Sequence, residues 1–498
     1  MHNTNGEIIV VTHEAIVSRE RRSLNIHRPF ETVNDFIGKT LSSPSFDKMQ
    51  TTIREYLRNS SFHGIRYLAE QDRHWTERLF WLTCCVVSWF SSAMLMRAAW
   101  YDFHNNAVSF VVETNYLDWD THFPTVAVCE TDAQDNIAVA SDALFGSPHD
   151  YNLDEMIAEL VFFRGLAHYV LQLCSDTPHP DCFRYNYSFY ETLVRQPCST
   201  LFRKCKWNQE EFDCCKYFSK IETELGTCYA INSLQAKEKK PRIKMISNRR
   251  TGPGTFHLQL SGITDVYLLS HQDVPCLTTP KSDVIQVAPH IRFKRSIVLE
   301  EIVNQLEVRD VSVEQRNCRF PEESDLATYK YYSYSACNVE CRKDAQLAKC
   351  NCTHHYMPNT DISKQCDIRG LECLNQHYND LAVLRAHWAN RPGLVCPCIP
   401  SCTDMEMTVI RDDKVGTHHD WASVEIHLER LPSERFKRTV VRGKLDLVVS
   451  MGGSVGLFVG ASLLSFVEVF YYFTLRAIKK SNHEEKPEEP VEVLPYVE

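Results

Sequence analysis

Three small residues in a row, Gly460-Ala461-Ser462, interrupt a long apolar stretch near the end of the chain. Side chains this small leave backbone carbonyls able to quit a helical ladder, and a ring of carbonyls around an axis can replace part of a cation's hydration shell. The same residues also suit close packing of neighbouring helices, and residue type alone leaves both readings open. Gly452, Gly456 and Gly460 recur every four residues, with Gly453 beside them, and on a helix would form one stripe. Asp446 and Glu468 are the only charges between Leu445 and Leu475. An acid in such a run is costly and so faces water or a partner. Asp446 suits an outer vestibule and Glu468 an inner mouth, each able to attract cations. His63, next to the flexible Gly64, is either a packing residue of a small loop, which the bare sequence favours, or a titratable switch.

A second chemistry lies in Cys318, Cys337, Cys341, Cys350, Cys352, Cys366, Cys373, Cys396, Cys398 and Cys402, ten cysteines within 85 residues. CxC pairs with His354 and His355 nearby would suit zinc. An exported domain oxidises its thiols instead, so five disulfides and no metal are expected, with a pairing that counting cannot give. Cys174 and Cys182 are close enough in sequence to pair. Asn186-Tyr-Ser and Asn351-Cys-Thr are glycosylation sequons, whereas Asn59-Ser-Ser would stay bare in the cytosol. Arg292–Arg295 and Arg435–Arg438 have the pattern of protease sites, yet sit in strand-like surroundings and are expected to be solvated strand faces.

These residues need a membrane to position them. Leu79–Met96 is eighteen residues without a charge, about 27 Å of helix. Extended to 79–102 it ends in the interfacial aromatics Trp100 and Tyr101. The second span is 445–475, longer than a bilayer needs and broken by glycines. Arg54, Arg58, Arg66, Arg73 and Arg78 precede the first span, and Arg476, Lys479 and Lys480 follow the second. By the positive-inside rule both termini are cytoplasmic, which leaves 103–444 outside the cell. Cysteine distribution demands the same placement: 19 of the 21 fall between Cys129 and Cys402. The N-terminus has no basic segment ahead of an apolar core, so no cleavable signal is expected.

Phe123–Val128 and Val424–Leu428 alternate like strands, while Leu153–Cys174 and Asp380–Asn390 have helical patterns. The fold class is therefore α+β: a cytoplasmic segment 1–78, two transmembrane helices, a large disulfide-rich extracellular domain, and a cytoplasmic acidic tail, 476–498, that reads as disordered. A net charge of −10 and the lack of a basic stripe exclude a nucleic-acid partner. No GxSxG or HExxH supports a hydrolase, and no cofactor is called for.

Separated motifs resemble the degenerin/epithelial sodium channel family, most of all its insect pickpocket branch. They are His63-Gly64, FPTVAVC (Phe123–Cys129), GTCYAIN (Gly226–Asn232), the cysteine block ending in CPCIPSC (Cys396–Cys402), and GGSVGLFVGASLLSFVEVFYYF (Gly452–Phe473). The resemblance covers about residues 30–480 and is weaker from 135 to 300. It implies a plasma-membrane trimer with palm, knuckle, finger, thumb (about 318–402) and β-ball. It implies a selectivity filter at Gly460, Ala461 and Ser462, gating through His63 and Gly64, and an outer gate at Val449 or Ser450. A nested thumb ladder follows from it: Cys318 with Cys402, Cys337 with Cys398, Cys341 with Cys396, Cys350 with Cys373, and Cys352 with Cys366. Cys129 would join Cys228, and Cys205 would join Cys214 or Cys215; Cys198 and Cys276 stay unassigned. The implied function is an amiloride-sensitive, voltage-independent, stimulus-gated sodium channel with a sensory role. The alternative is a non-conducting receptor or accessory subunit. Sodium ions, membrane lipid and related subunits in a homo- or heterotrimer are the expected partners.

Overall fold

The computed structural model describes residues 44–476 apart from 71, 115–118, 176–181, 183–185 and 239. Much of the expected N-terminal segment and nearly all of the acidic tail, with Lys479 and Lys480, lie outside the described residues. The chain divides into two units, 1–98 with 448–498, and 99–447.

The first unit is built around apolar helices. Trp75–Asn105 runs 31 residues and contains the expected 79–102 span. Its most apolar window is 6% buried, as suits a helix whose solvent is lipid rather than protein. Among the described residues, that helix alone is by itself long and apolar enough to cross a membrane. Lys444–Val459 and Leu463–Arg476 make a second span only when counted together, because they meet at 66°. The glycine stripe expected from the four-residue spacing therefore ends at Gly456. Gly460 has left the helix, with φ +72°. The segment Tyr472–Arg476 closes the second half as a π-helical stretch.

The second unit is mixed α and β. Its strands are β1 (Val108–Glu113), β2 (Thr121–His122), β3 (Thr125–Asp132), β4 (Phe202–Trp207), β5 (Glu210–Phe212), β6 (Phe218–Thr223), β7 (Gly226–Ile231) and β8 (Ile246–Ser247). They continue with β9 (Thr255–Leu260), β10 (Ile263–Leu269), β11 (Val284–Val287), β12 (Ile291–Asn304), β13 (Asp404–Gly416), β14 (Ala422–Leu428) and β15 (Arg435–Val440). One sheet runs β1-β15-β12-β14-β9-β4-β5 with β13 also on β12, and a second runs β11-β10-β3-β7-β6. Strand periodicity explains the cores. Ala422, Val424, Ile426 and Leu428 on alternate positions of β14 are fully buried. On β3 both faces are covered: Val126 and Val128 enter the larger core, and Ala127 and Cys129 enter another.

Nine disulfides staple this unit. Cys337 and Cys341 sit four residues apart on one face of the helix Tyr334–Cys350. They bond Cys398 and Cys396, whose two-residue spacing puts both sulfurs on one side of an extended segment. Cys318–Cys402 closes the base, and Cys350–Cys373 and Cys352–Cys366 continue beyond the helix. Cys129–Cys228 ties β3 to β7, and Cys174 bonds Cys182. Cys205 takes Cys214, and Cys198 takes Cys215. Cys276 is a buried free thiol, and Cys84 and Cys85 in the first unit are also free.

Several expectations are corrected. The helical pattern of 153–174 splits into Tyr151–Val161 and Tyr169–Cys174. The pattern of 380–390 yields only Tyr378–Ala382, because Val383 turns extended and pairs its backbone with Leu394. Arg295 and Arg438 are not solvated. Arg295 is buried with a two-pronged bond to Asp412, and Arg438 is buried with Nη1 donating to Cys402 O at 3.1 Å.

Candidate functional site

The break in the second span is shaped by three local choices. At φ +72° any L side chain is strained, and a Cβ on Gly460 would stand 2.4 Å from His63 Cδ2. Glycine is needed twice over, for its backbone and for the close approach. Ser462 restarts the helix: its Oγ accepts from Ser465 N at 3.3 Å, and Ser465 Oγ accepts from Ser462 N at 3.1 Å. This reciprocal cap satisfies donors that a new helix start would leave bare. Between these points the carbonyls of Gly460 and Ala461 accept no hydrogen bond among the described residues.

His63 and Gly64 meet this break from the other end of the chain. His63 N donates to Val459 O at 2.9 Å, satisfying the last carbonyl of the first half-helix. Gly64 has φ +79°, and a Cβ there would lie 2.7 Å from Cys85 Sγ on the first span. Around them the segment is pinned by side chains. Ser61 Oγ donates to Glu468 Oε2 at 2.8 Å and lies 2.8 Å from Ser465 Oγ. Glu55 pairs with Arg476, and Tyr56 packs edge-on to Tyr472 at 5.5 Å. Tyr67 stacks on Trp81 at 4.3 Å, and the Arg73 guanidinium lies 4.7 Å from the Tyr67 ring centre. So Gly460, Ser462, Glu468, His63 and Gly64 come together. Ser61, Ser465 and Cys85 complete the set and were not singled out, since partners 404 residues apart have no spacing signal.

Other expected residues stand apart. Asp446 Oδ2 accepts from Gly443 N at 2.9 Å and so closes the start of its helix. Val449 and Ser450 are exposed on the same helix as Asp446, and outside the helix's own backbone no atom of the described residues lies within 4 Å of a Cβ built on Gly452 or Gly453. Asn186 and Asn351 are exposed, and Asn351 caps its helix in a left-handed turn. His354 and His355 are buried against Phe163 rather than poised for a metal. Cys350, Cys373 and His377 Nδ1 cluster, but the two sulfurs are bonded to each other, so no thiolate is left for an ion.

A broken apolar span with unpartnered carbonyls is the equipment of a membrane channel. The chain belongs to the amiloride-sensitive sodium channel family, whose model matches residues 56–472. Sodium channel protein Nach of Drosophila ananassae is 22% identical over 477 residues, covering 87% of this chain and 88% of its own length. Pickpocket protein 28 of Drosophila melanogaster is 21% identical, covering 92% of this chain and 84% of its own. Human acid-sensing ion channel 4 is 26% identical over 178 residues, 31% of this chain and 32% of its own. The family is one of ion channels and not of enzymes. A solved proton-activated chloride channel aligns with 80% of this chain and 96% of its own at 7% identity and a TM-score of 0.23.

Proposed function

We propose that the chain is one subunit of a trimeric, sodium-selective channel of the plasma membrane. In this reading both termini are cytoplasmic, and residues 103–444 form an extracellular palm, knuckle, finger, thumb and β-ball. The break at Gly460–Ser462 carries the proposal. Three copies around an axis would set a ring of free carbonyls where a dehydrating cation needs oxygen. The His63-Gly64 segment beneath the break holds Val459 O and would gate by moving away from it. Glu468, tied to Ser61, would give the inner mouth its negative charge. Val449 and Ser450 would form the outer gate, with Gly452, Gly453 and Gly456 allowing neighbouring subunits to approach and Asp446 at the vestibule.

Voltage clamp of the chain expressed alone tests this. An inward current that needs external sodium, does not depend on voltage for opening, and is blocked by amiloride supports the reading. A current carried equally by chloride overturns it. Current seen only after a related subunit is added would make the protein an obligate heterotrimer partner. No current in either case, with the chain at the surface, would leave a non-conducting accessory subunit.

A further inference from the structure

The cysteine-rich unit holds a cavity of about 410 Å³ where the end of β10, the loop after it, the start of β13 and the first turns of the helix Tyr334–Cys350 meet. Asp273, Asp283 and Asp404 line it. Asp273 accepts from Ser335 Oγ at 2.6 Å, and Asp404 Oδ1 accepts from Ser270 Oγ at 2.8 Å. Burial lifts the Asp273 carboxyl to about 6, and the charge of Asp404 adds to the effect. Burial also raises Asp283. The nearby guanidinium of Arg295 is occupied by Asp412 and Ser282 O. An independent feature points the same way. Asn338, 2% exposed, is part of the same wall, and its Oδ1 has no hydrogen-bond partner among the described residues. A buried acceptor left bare is costly, and a ligand's N–H would satisfy it.

The serine hydroxyls and the Arg295 guanidinium already spend their protons on Asp273, Asp404, Asp412 and Ser282 O. What the wall has left to offer is carboxylate oxygen and Asn338 Oδ1, so the occupant must bring donors and positive charge. The rest of the wall includes Leu268, Met405 and Met407, carbon and thioether surface for which a hydrated metal ion has no use. We propose that this cavity binds a small organic cation: a primary ammonium held by Asp273, Asp404 and Asn338, with a short apolar stem against Met405 and Met407.

The test uses the full chain in detergent, with n-butylammonium and n-butanol as probes of matched length and saturation-transfer NMR as the readout. Butylammonium is expected to receive transfer and butanol none. Asp404→Asn and Asn338→Leu are each expected to weaken binding tenfold or more. Asp283→Asn, in a partly exposed turn, serves as a third variant, and the thermal midpoint without probe controls for folding. Equal transfer to butanol would reduce the site to an apolar void and overturn the proposal. So would unchanged affinity in folded Asp404→Asn, or the absence of any transfer to butylammonium in the folded wild-type chain. No current is recorded, so failure here is distinct from failure of the channel reading.

Discussion

Gly460 is where a single residue matters most, because its backbone angle and its neighbour both exclude a Cβ. Gly460→Ala should cost roughly 1–3 kcal/mol of local strain and displace His63. An about tenfold or greater loss of sodium current at unchanged surface level is expected, on the scale of 1.4 kcal/mol per tenfold. Surface labelling beside voltage clamp reads it, and full current would remove His63 from the break. His355 makes a prediction in the other unit. Its Nε2 donates to Leu160 O at 2.8 Å, and burial holds its pKa down to about 4. The unfolded chain takes up the proton first, so stability is present near neutrality. It is lost as pH falls from about 6.5 towards 4, by about 3 kcal/mol at most. His355→Gln keeps a donor and removes the titration. The drop in thermal midpoint between pH 7 and about pH 4.5 should shrink in that variant.

Among elements, the helix Tyr334–Cys350 is the most heavily tied. Cys337 and Cys341 bind one face and Cys350 ties its end, while Arg342 on another side is buried and pairs with Glu224, also buried, at the β6–β7 turn, 2.6 Å away. Glu224 also accepts from Leu277 N at 2.7 Å. Such a pair gives little net stability, since both ions lose their water. Removing one partner is different, because it strands a buried charge. Glu224→Gln should cost about 3–5 kcal/mol, seen as a lower thermal midpoint, whereas a surface pair such as Lys237–Glu222 should lose little on the same change. If the two behave alike, the Arg342–Glu224 contact is solvated in solution.

At the scale of the molecule, the proposed topology puts both sequons outside and Asn59 inside. Asn186→Gln and Asn351→Gln should each remove one glycosidase-sensitive step in gel mobility, and Asn59→Gln none. Loss of a step in Asn59→Gln would invert the proposed orientation. Thr353, the third residue of the second sequon, is fully buried in the folded unit. Glycan addition at Asn351 should therefore precede folding, and mild refolding after glycosidase should not restore it.

The sequence by itself determined what depends on local chemistry. The first span followed from eighteen uncharged residues, because lipid selects for apolar length wherever the segment ends up. Alternation marked β14, and the run of small residues at 460–462 marked the place where a helix could fail. That the clustered cysteines pair with one another was expected from where they lie. Only the tertiary structure decided what depends on distant partners. Cys205 and Cys198 choose between Cys214 and Cys215 by which faces of β4 and its neighbouring turns meet, a choice adjacent residues cannot encode. Arg295 and Arg438 look exposed in their strands and are buried because Asp412 and Cys402 O, over 30 residues away in the chain, satisfy them. The contact of His63 with Val459 is of the same kind. A backbone donor carries no side-chain signature, so the sequence marked His63 and Gly460 but not Val459, and did not show that the two segments touch.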